Sequence, residues 1–300
     1  MPVKKSTLIY RTDLVNVGIG QGQKEIVPYL YSETNYDPEG RVLRQCTTNA
    51  AGLVTEKVEF EYDASGRLIH ETYYTDDVDP SEEKSFEYDQ DGRIKKEKVH
   101  YLDGSFDTIE YRYNDEGLLT EKTTVNDEGE SEGKEIYTYK NGKPETHEIT
   151  DGESNLLLSE TFGYDDRGNL ILHIRNDEES GEYVKMKAYF GDQGNKVREE
   201  LYDNEENLVE ATAFETDEQG RVIRTVEESG RNRRIKHFRY DDKGNGLGYE
   251  ETSGSGDKLV VVEHHFDQEN NPLSSLVFIN GSGRSMSQHY ELKYEYQWFE

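Results

Sequence analysis

Tyr62-Asp63-Ala64-Ser65-Gly66-Arg67-Leu68-Ile69 decides how this chain folds, because it returns. Tyr36-Asp37-Pro38-Glu39-Gly40-Arg41-Val42-Leu43 precedes it, and Tyr88-Asp89-Gln90-Asp91-Gly92-Arg93-Ile94 follows it. Looser copies run through Tyr113-Asn114-Asp115-Glu116-Gly117, Tyr139-Lys140-Asn141-Gly142 and Tyr164-Asp165-Asp166-Arg167-Gly168. Phe190 to Gly194, Thr216 to Gly220 and Tyr240-Asp241 to Gly244 continue the series, and Phe266-Asp267 opens a degenerate last copy. The glycines at 40, 66, 92, 117, 142, 168, 194, 220 and 244 stand 24 to 26 residues apart. A period held through nine copies marks a repeat architecture.

A second turn lies near the middle of each period, as at Asn49 to Gly52, Asp103-Gly104, Asp151-Gly152 and Ser229-Gly230. Asp, Asn and Gly recur there because short hairpin loops need positive φ angles and local side-chain caps. Between turns, apolar and polar residues alternate: Val58, Phe60, Tyr62; Ile109, Tyr111, Tyr113; Phe238, Tyr240. That is the pattern of a half-buried strand. No window shows a sustained helical stripe, so the chain reads as all-β, with two antiparallel strands per repeat.

About twenty strands at roughly 4.8 Å spacing would make a ribbon some 90–100 Å long. With only 32% of its residues hydrophobic, the chain cannot fill a two-sheet sandwich of that size. The reading is one elongated, twisted or coiled sheet, solenoid-like or a partial shell, with a partly covered Tyr/Phe face. It forms a single repeat domain: an N-terminal cap over residues 1–26, about ten hairpins over 27–282, and a C-terminal aromatic strand over 283–300. In that strand Tyr290, Leu292, Tyr294, Tyr296 and Trp298 alternate, as a strand shielding an open end would. Gly18 to Gly22 would be the turn of the N-terminal cap.

Tyr-Asp-x-x-Gly-Arg followed by two aliphatics resembles the YD repeat of Rhs and teneurin-type proteins. The resemblance spans roughly residues 30 to 290 and is strongest in the first three copies. It implies a spiralling β-sheet shell around a toxic or otherwise folded C-terminal domain. The chain departs from the family in its shortness, its longer repeats and the lack of a following cargo domain or self-cleaving core motif. Tyr139-Lys140-Asn141-Gly142-Lys143 is also similar to the hairpins of MORN-like repeat proteins.

Sixty-four acidic residues against 35 basic ones leave a net charge of −29, which repels nucleic acid and anionic lipid and favours basic protein partners or plain solubility. Charge of this size argues for disorder, but 22 tyrosines and 10 phenylalanines supply buriable surface. There is no 18-residue apolar run and no apolar signal core, so the expected compartment is the cytoplasm, with specialised export still open. The one cysteine, Cys46, has no partner for an internal disulfide and no metal-ligand spacing.

Catalytic and metal constellations are not expected. Gly18 to Lys24 fits no phosphate loop, and Asp89-Gln90-Asp91-Gly92 puts Arg93 where a calcium loop needs its third ligand. His264 and His265 are neighbours on a strand and point to opposite faces. Neither a cofactor nor a metal is implied. One local anomaly remains, the basic cluster Arg231, Arg233, Arg234, Lys236 and Arg239. Alternation places Arg231 and Arg233 on one face and Arg234 and Lys236 on the other; cross-strand pairing with Glu227 or Glu228 is one reading and a partner contact the other.

The function expected from this is non-enzymatic: an acidic β-repeat scaffold, serving as an immunity or chaperone-like partner of a basic toxin-associated protein. The alternatives are a structural shell or assembly subunit oligomerising through sheet edges, and a carbohydrate-binding module using exposed tyrosines.

Overall fold

A computed structural model describes residues 3–16, 23–25, 27–281 and 286–300. The alternating segments are strands, from Lys4–Asn16 to Gln288–Trp298, and each from Tyr29–Tyr36 onward pairs antiparallel with the next. Lys4–Asn16 pairs with Tyr29–Tyr36 on one side and with Gln288–Trp298 on the other. The sheet is therefore a closed barrel of 22 strands, not the open, elongated sheet or solenoid that the repeat suggests. The short strand Gln23–Glu25 hangs from Lys4–Asn16 alone. The glycine-rich turn at 18–22 lies outside the described residues.

A register slip closes the ring. Ser32 pairs with Thr47, and Thr47 with Glu56, so the ladder advances 24 residues per hairpin while Gly40 and Gly66 stand 26 apart. A bulge beside each Tyr-Asp turn, as where Glu61 pairs with His70 but Tyr62 with Leu68, takes up part of the difference. Two residues of slip per two strands gives a stagger of about one residue per strand, the ratio found in (β/α)8 barrels with a strand tilt of about 36°. Twenty-two strands at that tilt enclose a ring about 40 Å across between opposite backbones. Strands of seven to nine residues make its wall roughly 20–25 Å tall.

The wall is one layer thick. The chain exposes 19171 Å², against about 13,000 Å² for a compact chain of this mass. Among the described residues the buried apolar side chains are only Cys46, Val58, Val99, Ala188 and Ala211, and no large side chain is fully enclosed. Water therefore reaches both faces. The aromatic strand 288–298 is a ring member, with Tyr294 opposite Ile9 and Tyr296 opposite Thr7. Lys4 Nζ lies 4.2 Å from the Tyr296 ring centre, and the Arg11 guanidinium lies 4.0 Å from that of Tyr290. Closure also pairs the sheet edges through which self-association was expected.

The turns gather at two rims. Tyr-Asp turns and the two ends of the described chain form one rim; the mid-period turns form the other. Most turns place a glycine at positive φ, but Ser154 (φ 70°) holds that position in the turn Asp151–Asn155. A side chain there carries left-handed strain that glycine avoids. Ser154→Gly is expected to stabilise the fold by about 0.5–1 kcal/mol, measured by urea unfolding against the parent.

Candidate functional site in the lumen

The Tyr-Asp-x-x-Gly-Arg motif is a clamp between successive hairpins. Asp63 Oδ1 accepts the backbone N–H groups of Ser65 (2.8 Å) and Arg67 (2.9 Å), capping the turn, while Oδ2 takes the Arg67 guanidinium at 2.6 Å. Gly66 stands at φ +83°, a conformation that strains any side chain, and a Cβ there would sit 2.9 Å from Arg41 Nη1 of the preceding repeat and displace that guanidinium. Arg41 stacks 4.9 Å from the Tyr62 ring centre, Arg67 4.8 Å from that of Tyr88, and Arg93 4.7 Å from that of Tyr113. Each tyrosine hydroxyl then donates back to the preceding hairpin: Tyr62 to the Val42 carbonyl (2.8 Å), Tyr88 to Leu68 (2.6 Å), Tyr113 to Ile94 (2.7 Å). Later copies keep the cap with Asn in place of Arg, as Asn169 on Asp165 and Asn245 on Asp241 (both 2.8 Å). Lys143 covers Tyr164 beside Gly168, and Arg221 covers Tyr240 before Gly244.

These tyrosines face inward. The slip runs in one sense round the ring, and strands of L-residues coil right-handed, which sets the inner face of each strand. The inner set is Phe60 with Tyr62, Phe86 with Tyr88 and Tyr111 with Tyr113; Glu61, Glu87 and Arg112 face out. At these positions burial agrees, since the six aromatics are half-buried and Glu61, Glu87 and Arg112 are exposed. Tyr36, Tyr240 and the 290–298 aromatics join the inner face through their cross-strand partners. The lumen thus carries two aromatic rows with carboxylates set among them, including Glu71, Glu97 and Glu251.

One sector of this face brings together histidines that the sequence keeps 26 residues apart. His147 Nδ1 lies 2.8 Å from Glu160 Oε2, and His173 Nε2 lies 2.9 Å from Glu160 Oε1. His147 stacks on Tyr137 (4.3 Å, 8° between planes) and His173 on Phe162 (4.7 Å, 7°). The Tyr137 hydroxyl donates to Glu135, and Lys122 Nζ lies 3.0 Å from the same carboxylate. Burial pushes both carboxylates up. Hydrogen bonds outweigh it, from Tyr137 and Lys122 at Glu135 and from the two imidazoles at Glu160, and hold both below the usual carboxylate range. His147 Nε2 is buried without a hydrogen-bond partner, 3.5 Å from Glu135. The signal that could have found the pair is positional: each histidine stands five residues after its turn glycine, at Gly142 and Gly168.

Residues 36–77 match the family model RHS Repeat. That stretch is an RHS repeat. The atoms that hold the matched copy recur in the unmatched ones, from Asp89–Arg93–Tyr113 to Asp217–Arg221–Tyr240. A search of curated proteins gives no match. Among solved structures, the crystal structure of TcdB2-TccC3-Cdc42 is similar over 84% of this chain and 16% of its own, at 10% identity and a TM-score of 0.44. A porin-like protein from Bacteroides uniformis is similar over 98% of both chains, at 10% identity and a TM-score of 0.34. One from Bacteroides vulgatus covers 99% of both, at 9% identity and a TM-score of 0.24. All three likenesses are too loose to carry an argument about function.

The basic cluster splits between the faces of the barrel. Arg234 and Lys236 point inward and share Glu251 at 3.7 and 3.2 Å, while Arg233 points outward to Glu228 at 3.4 Å. Arg239 meets Glu263 at 3.3 Å. Arg231 stands exposed at the rim. Cross-strand pairing thus accounts for four of the five. Cys46 is buried, and burial pushes its thiol up, away from reactivity. Among the described residues no group of three or more His, Cys, Asp or Glu is placed to hold a metal.

The capped turns make the barrel sensitive to acid. Backbone N–H groups and then the side chain of the next Arg lower Asp63, while Asn245 and backbone N–H groups lower Asp241; Glu200 falls to about 2 under Tyr202, Tyr189 and Arg198. A carboxylate lowered in the fold stabilises above its unfolded pKa, and that stability is lost as pH falls through the folded value. Self-repulsion acts oppositely, easing as pH falls toward the isoelectric point near 4.6. The melting temperature should therefore rise modestly from pH 7 to 5 and fall steeply below 4, and added salt should flatten only the first limb. A melting temperature that kept climbing to pH 3 would refute the capping role.

Proposed function

We propose that the chain is a non-catalytic shell component: a hollow ring whose lumen receives a polypeptide, in a toxin-associated setting. The observation that carries this reading is the single-layer wall, wet on both faces, around a lumen about 40 Å wide at the backbone. A catalytic role would need irregular loops converging on one pocket, whereas these turns are short and of one recurring kind. RHS repeats in a shell fit the toxin setting, and the shell replaces a free acidic immunity scaffold as the leading reading. The aromatic rows line the lumen, which leaves a carbohydrate module little outer surface.

We take the ring to stand in water. No helix is long and apolar enough to cross a membrane, and a lipid-facing barrel needs an apolar outer band. Here the outward residues include Glu59, Glu61, Glu83, Glu87, Lys96 and Lys98. The acidic lumen favours a basic occupant, in a salt-sensitive encounter. Native mass spectrometry of the protein from its own source tests the reading. A bound polypeptide that resists trypsin while inside and is released by high salt supports it. An empty ring that turns over a substrate in a hydrolase panel refutes it.

A further inference from the structure

We infer that one sector of the mid-period rim, the rim opposite the Tyr-Asp turns, is a docking surface for a basic, amphipathic polypeptide segment. Five apolar side chains among the described residues are more than 60% exposed: Val27 (81%), Leu53 (63%), Val78 (76%), Leu102 (76%) and Met286 (89%). All five stand on this rim, and they are consecutive around it. Met286 stands just before Gln288–Trp298, Val27 just before Tyr29–Tyr36, and Leu53, Val78 and Leu102 in the next three turns. Together they cover about 40 Å of the circumference.

The rest of this rim is different. Its six remaining turns present Glu128, Glu153, Glu179, Glu205, Arg231 and Ser255. The apolar residues nearest them, Leu156, Leu208 and Val209, are only 40–51% exposed and begin strands. Turn tips gain nothing in the fold from a large apolar side chain, and a contiguous row of them marks an interaction site. One rim therefore has an apolar arc and a polar arc.

Charge selects the occupant. Exposed Asp76, Asp77, Asp79 and Asp103 lie between the apolar tips. Among the described residues of the arc the cations are Lys24, beside Glu25 in the short strand Gln23–Glu25, and Lys57, which is spent on Asp77, its Nζ 3.2 Å from that residue's carbonyl; the acids outnumber them. A second copy docking rim to rim would set aspartates against aspartates, and anionic lipid would be repelled likewise. A chain with lysine or arginine flanking apolar anchors meets both features at once. Nothing in this depends on what the lumen holds.

The test uses the full chain, a synthetic amphipathic helix of leucine and lysine, and its twin with glutamate for lysine. The lysine peptide should bind and the glutamate peptide should not. The variant Leu53→Ser/Val78→Ser/Leu102→Ser should keep the parent's melting temperature, because the tips are exposed, and weaken binding about tenfold or more. The variant Glu128→Gln/Glu153→Gln/Glu205→Gln, which removes charge from the polar arc, should leave binding unchanged. The proposal is overturned if the serine variant binds as tightly as the parent, or if the glutamine variant loses as much. It is also overturned if sedimentation shows a dimer that the serine variant breaks, or if the parent floats with anionic vesicles and the serine variant does not.

Discussion

Deletion of residues 286–300 is expected to abolish the single cooperative melt and to shift the protein to higher oligomers than the full chain forms. The strand Gln288–Trp298 has nine paired positions with Lys4–Asn16 and six with Pro272–Ile279. Without it, both neighbours present unpaired N–H and C=O rows, the condition under which strands recruit other chains. A barrel with a packed core could keep its shape through side chains, but this wall has no second layer behind it. The ladder is all that holds the circumference, so loss of one strand acts on the whole ring. Calorimetry and sedimentation velocity read the outcome. A truncated chain with the parent's melt and the parent's mass would refute the closure.

The second large effect is at Tyr88. Tyr88→Ala should destabilise by about 3 kcal/mol, the range for removing a large, mostly buried aromatic side chain. The ring is covered by Arg67 and its hydroxyl reaches the Leu68 carbonyl, so one side chain ties two hairpins by stacking and by a hydrogen bond. Tyr88→Phe should cost about 1 kcal/mol, the usual net value of one such bond. A double-mutant cycle with Arg67→Ala should give a coupling of about 0.5–1 kcal/mol. Urea unfolding of the parent and the four variants, the double variant Tyr88→Ala/Arg67→Ala among them, measures all three. If Tyr88→Phe costs as much as Tyr88→Ala, the hydroxyl dominates and stacking on Arg67 adds nothing.

Strand positions and turn chemistry were legible in the sequence, because both are local. Phe60, Tyr62 and their alternation fix a strand face, and Asp63 with Gly66 fixes the turn that follows. Closure was not legible, because it rests on Thr7 meeting Tyr296 across nearly the whole chain. It also rests on a two-residue slip that shows only as the difference between a 26-residue period and a 24-residue ladder step. Alternation divided Arg233 from Arg234 and Lys236 correctly. It said nothing of which face was inside, since that follows from the sense of the coil. His147 and His173 escaped notice because scattered histidines become neighbours only when the period is laid down as adjacent hairpins.

The slip has a consequence for how such a protein can change over generations. Every hairpin brings two strands and two residues of stagger, so their ratio stays the same whatever the number of hairpins. Duplicating one period in the gene would widen the ring by about 4 Å and leave the tilt of the wall unchanged. The turn-and-tyrosine clamp would be copied along with it, already matched to its neighbours on both sides. Calibre is thus a heritable trait that changes in whole steps, with no new joint to invent at any size.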